Sequence, residues 1–165
     1  MTRVRSIAVA LSVAIGMAST AAVLAPATVI AADQPAKPKM SNAVAVPLAA
    51  AQKAMAAKQW DTALAEIKKA QAVPQRTPGE DYQIDEFLGY VLVQQKKYGQ
   101  AAPVFERMLN SGLVPPDQVD DRTKAVAQMY FQEKEYKKSA DWAKKWLAKH
   151  PGQEDMSVLL GQSQY

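Results

Sequence analysis

Gln59-Trp60-Asp61-Thr62-Ala63-Leu64, Lys97-Tyr98-Gly99-Gln100-Ala101-Ala102 and Glu135-Tyr136-Lys137-Lys138-Ser139-Ala140 are three versions of one phrase. Each runs from a polar residue to an aromatic, through two polar or small residues, to a small one. The aromatics Trp60, Tyr98 and Tyr136 stand 38 residues apart in both intervals. A fixed period of this size marks a stack of similar helical units, because a unit too small to bury its own apolar side must bury it on a neighbour. From about Ala45 onward Ala, Leu, Gln, Lys and Glu dominate, apolar residues return at steps of three and four, and no stretch alternates as a strand would. The expected fold class is all-α.

Working outward from the second phrase, Leu88-Gly89 lies ten residues before Tyr98, Ala101 follows three after it, and Phe105 four beyond that. The third unit offers Val126-Ala127, Tyr130, Tyr136, Ser139 and Pro151, and the first offers Ala50-Ala51, Ala54, Trp60, Ala63, Ile67 and Ala70. Leu160-Gly161 begins a fourth, nine and ten residues past Pro151. In this pattern the chain resembles the tetratricopeptide repeat family, over roughly residues 45–165. The resemblance implies a right-handed superhelix of antiparallel helix-turn-helix repeats, here about three units and part of a fourth.

Physical reasons for the spacing stand beside the resemblance. Small residues at Ala63, Gly89, Ala101 and Ser139 let two helices approach closely, while Trp60, Tyr98 and Tyr136 are placed to fill the gap between successive hairpins. The period exceeds the family's roughly 34 residues, and the excess falls in residues 74–79 and 111–116, where it lengthens loops. Thr77-Pro78-Gly79-Glu80 reads as a capping box with Pro at the first helical position, and Gly112 as a helix stop. Pro103 is tolerable only near a helix start. Trp146 stands where the family has a small residue, so the third unit must pack differently on the fourth. Residues 154–165 are either a single capping helix or the start of further repeats beyond Tyr165, and Val158, Leu159 and Leu160, a poor polar cap, favour the second.

The N-terminus reads as an address. Arg3 and Arg5 form a cationic start, Ile7 to Ala18 an apolar run, and no charged residue intervenes from Ser6 until Asp33, as in a secretory signal peptide. Two small-residue sites fit cleavage, before Ala22 and before Asp33, the later one favoured, so residues 1–32 are expected to be removed. An uncleaved membrane anchor is the competing reading, weakened by the Ala-rich composition and Pro26. Residues 33–44, with Pro35, Pro38, Lys37 and Lys39, are expected to be a disordered linker, and 45–165 the folded domain. The chain would then be an exported protein, periplasmic in a bacterial envelope, without a stable membrane anchor.

Composition narrows the function classes. The 165 residues contain no Cys and one His, which excludes disulfides, thiolate metal sites, a cysteine nucleophile, an acylated-Cys anchor and any two-histidine metal site. None of the seven glycines forms a G-x-G phosphate loop. Removing Arg3 and Arg5 from the 20 basic residues leaves 18 against 16 acidic, so nucleic acid is not an expected partner. Lys137, Lys138, Lys144, Lys145 and Lys149 are interleaved with Glu133, Glu135 and Asp141, the pattern of a solvated helix face. No cofactor and no catalytic residue are expected. His150, before Pro151, is placed to satisfy carbonyls at a helix end, and no motif sets a Ser or Asp beside it.

Carried over residue by residue, the family's concave surface would here present Gln52 and Met55, then Glu86, Tyr90, Val93 and Gln94, then Lys124, Gln128, Phe131 and Gln132, with Tyr165 at the far end. The family uses this surface for an extended peptide or partner helix, so another protein or peptide is the expected partner, with self-association an alternative. Tyr90 and Phe131 could equally pack between neighbouring helices. The Lys and Asn set by which some members clamp a terminal carboxylate is absent, Lys124 standing alone. Trp142 and Trp146, four apart, are either an exposed aromatic patch or covered by lysine stems and the fourth unit. Three function classes follow: an exported non-catalytic scaffold, the front of a longer repeat protein with its activity beyond Tyr165, and a small enzyme, which the residue inventory nearly excludes. N-terminal sequencing of protein recovered from outside the cytoplasm is expected to start at Asp33 or Ala22; a start at Met1 would refute cleavage.

Overall fold

The computed structural model describes residues 40–164; the expected signal peptide, most of the expected linker and Tyr165 lie outside them. Seven α-helices follow one another, and no strand occurs among the described residues. They are α1 (Asn42–Ala56), α2 (Trp60–Gln71), α3 (Pro78–Gln94), α4 (Tyr98–Asn110), α5 (Pro116–Gln132), α6 (Tyr136–Leu147) and α7 (Glu154–Gln162). Helices α1 and α2, α3 and α4, and α5 and α6 form hairpins, and each helix packs only on helices one or two places away along the chain. The all-α expectation holds, in a helical, repeat-like arrangement.

The three tight turns repeat almost atom for atom. Lys58, Lys96 and Lys134 each follow a helix C-cap in the left-handed region, at φ of 55°, 58° and 61°. Beyond each, the amides of Gln59, Lys97 and Glu135 donate to the carbonyls of Ala54, Leu92 and Tyr130 at 2.9 Å. This is a Schellman closure, and its last residue is already the N-cap of the next helix, which forces the aromatic onto the first helical position. A side chain other than glycine at that φ costs roughly 1–2 kcal/mol.

Close approach within the hairpins comes from the small residues. A Cβ on Gly89 would lie 2.8 Å from the Phe105 ring, so α3 and α4 meet as they do only because position 89 has none. In the third hairpin the Ser139 hydroxyl donates to the Ala127 carbonyl at 2.9 Å, and in the first Ala51 and Ala63 are wholly buried. Two apolar clusters result, one across α1 to α3 and one from α3 to α7, joined where Leu64 and Leu88 pack against both.

The first helix begins at Asn42, ahead of the expected onset near Ala45, and the linker expectation is corrected at its end. Met40 packs on the first cluster, and Ser41, the N-cap of α1, is held from across the fold. Glu80 completes the expected capping box on Thr77, and its other oxygen accepts from the Ser41 amide at 2.7 Å and hydroxyl at 2.5 Å. One carboxylate thus serves the N-termini of α1 and α3. Gly112, at φ 71°, stops α4 as expected, and Pro103 sits at the sixth residue of that helix.

The Ser41 hydroxyl bond above all, with the Thr77 and Ser41 amides, lowers the Glu80 pKa from 4.5 to about 2. The carboxylate therefore stabilises the fold above the ordinary carboxylate range, and this contribution is lost as pH falls from about 4.5 through about 2. Glu80→Gln should melt at a lower temperature than the parent at neutral pH, and the gap should close on acidification across that window; a constant gap would refute the linkage. Lys96→Gly should raise stability by about 0.5–1 kcal/mol in denaturant unfolding, relief of left-handed strain exceeding the entropy glycine adds to the unfolded chain.

Candidate functional site

Three helices carry the expected surface residues. On α3, Glu86, Tyr90 and Val93 follow one another at steps of four and three, with Gln94 beside them; on α5, Lys124, Gln128, Phe131 and Gln132 do the same. Helix α1 contributes Gln52 and Met55 and packs directly on α3, while α5 touches α7. Between α3 and α5 the link is made by side chains: Arg122 on α5 reaches Glu86 on α3 at 2.8 Å and lies over the Tyr82 ring, 6.0 Å from its centre.

Exposure sorts these residues. Gln52, Gln94 and Gln132 are exposed, and Gln128 is half-buried. No hydrogen bond among the described residues engages any of the four amides, whereas Gln83, Gln95 and Gln118 all serve internal partners. Tyr90 is half-buried and spends its ring on Trp60, edge to face with centroids 6.2 Å apart. Phe131 meets Tyr136 in the same manner at 5.6 Å. Met55 and Val93 flank the two apolar clusters. The amides are therefore available for contact, and the apolar members are shared between packing and surface.

Both charged members are already paired. Glu86 accepts from Arg122, from the Tyr82 hydroxyl at 3.0 Å and from the Gln83 amide at 3.1 Å. Burial, then the Glu86 charge, push the Tyr82 hydroxyl up to about 12, so it stays a donor through the physiological range. Lys124 reaches Asp155 of α7 at 2.5 Å and sits over the Trp146 ring. Its hydrogen bond holds the Asp155 carboxyl below the usual carboxylate range.

The expected aromatic gap-fillers divide. Trp60 joins its hairpin to the next through Tyr90, and Tyr98 packs on the larger cluster. Tyr136 is 42% exposed and stays within its own hairpin on Phe131, because α7 has no aromatic to meet it. Trp142 and Trp146 are buried and form no exposed patch, which settles their two readings in favour of covering. Lys145 lies over Trp142, whose indole N–H donates to Glu106 at 2.6 Å. The Tyr130 hydroxyl donates to the other Glu106 oxygen at 2.6 Å, and burial with this carboxylate pushes its pKa up.

His150 does not cap carbonyls. Its ring stacks on Trp146 and bonds Asp120 at 2.9 Å, and this bond, with Lys149, holds the Asp120 carboxyl low. A hollow of about 450 Å³ elsewhere is bordered by Arg76, Tyr82, Asp85, Arg107 and Met108. Its guanidiniums are taken by Asp81 and Asp85, so it offers no free charge. Arg122, Asp155 and Glu106 escape a reading of local spacing; the one available signal is that only three arginines, Arg76, Arg107 and Arg122, occur among the described residues.

With this geometry in view, neither models of known protein families nor curated proteins supply a match for the chain. Tyr90→Ala is expected to cost about 2 kcal/mol by loss of half-buried area and the Trp60 contact. Gln128→Ala, which breaks no internal bond, should stay within about 0.5 kcal/mol in the same unfolding measurement.

Proposed function

We propose that the protein is an exported, periplasmic, non-catalytic scaffold of tetratricopeptide-repeat type, whose three hairpins and α7 wind as a right-handed superhelix. Its concave face, lined by α1, α3, α5 and α7, takes a peptide or helix of another envelope protein. Support comes above all from Gln94 and Gln132, which stand 38 residues apart at the same place in their hairpins, are both exposed, and hold amides that no internal group uses. Amide ends with half-buried aromatics beside them suit recognition of a polypeptide. Among the described residues no helix is long and apolar enough to cross a membrane.

A photoreactive amino acid at Gln128 tests this in the cell. A discrete heavier species, identified by mass spectrometry as one other protein, is the expected result. No adduct, or adducts of the chain to itself alone, would refute a heterologous client on this face.

A further inference from the structure

The groove of the proposed scaffold contains two ionisable residues, and each is neutralised inside the protein. Glu86 faces Arg122 at 2.8 Å with two further donors on its carboxylate, which leaves little capacity for a partner's cation. Lys124 is held by Asp155 at 2.5 Å and shielded by the Trp146 ring, 5.1 Å from its ammonium. What remains for contact is the set of free amides on Gln94, Gln128 and Gln132, with Phe131 half-buried among them.

From this we infer that the groove selects an extended peptide segment without charged side chains and reads it mainly through its main chain; the inference rests on the peptide-binding reading above. A carboxamide offers one acceptor and two donors, the same functions that a peptide bond presents, and so satisfies a peptide N–H or C=O whatever side chain follows. A charged ligand side chain laid in the same place would lose water and find no free opposite charge, which is a penalty without return. Binding built this way has little Coulombic component and should respond weakly to salt.

The purified protein is titrated with three sets of synthetic peptides, each about ten residues long to span three units in extended form: uncharged, acidic and basic, with matched apolar content. Uncharged peptides are expected to bind at least about tenfold more tightly than either charged set, with less than about a twofold change between roughly 50 and 500 mM salt. Gln94→Ala with Gln128→Ala should abolish most of this binding. Asp155→Asn, at an exposed carboxylate, frees the Lys124 ammonium and should shift preference several-fold toward the acidic set. If a charged set binds equally well or better, or binding falls about tenfold with salt, the inference fails while the groove reading stands. If no set binds, or the double amide variant binds undiminished, the groove reading fails and carries this inference with it.

Discussion

Everything in this fold depends on how closely the two helices of a hairpin approach. Gly89 against Phe105, Ala127 against Ser139, and the buried Ala51 and Ala63 bring paired helices together where larger residues would hold them apart. Once they are close, each hairpin has an apolar flank that its own two helices cannot cover. The next hairpin covers it, so every helix packs on neighbours no more than two places away. The Schellman turns at Lys58, Lys96 and Lys134 fix the direction of each return, and the lysines accept left-handed strain to do so.

Polar groups then lock the stack at particular places. Glu80 draws the start of α1 to the start of α3, Arg122 ties α5 to Glu86 on α3, and Glu106 on α4 gathers the hydroxyl of Tyr130 and the indole of Trp142. At the C-terminal end Asp120 receives both Lys149 and His150, and Lys124 holds Asp155. These pairings use up much of the charge near the first helices of the hairpins. A surface on which amides are the available polar groups follows from that consumption.

Much of the architecture was legible because it is local. The 38-residue period, the capping box at Thr77, the stop at Gly112 and the close approach at Gly89 each follow from residue types a few positions apart. What stayed hidden is long-range. Ser41 and Glu80 are 39 residues apart and Arg122 and Glu86 36, and no spacing announces such a pair. For the same reason the start of α1 at Asn42 was missed, since its N-cap is held by a residue of another hairpin. Tyr90 and Phe131 were placed on the right helix face, but whether their rings meet a ligand or Trp60 and Tyr136 is decided by partners that periodicity does not reveal.

Native-state hydrogen exchange tests most directly whether the hairpins stand as neighbour-stabilised units. Amide protection should be highest in the helices covered on both sides, α3 to α5, and decline in steps toward α1 and α7, with each hairpin exchanging as a block. Equal protection in all seven helices, lost together at one denaturant concentration, would contradict a stack held by neighbour contacts and would mean a single undivided core.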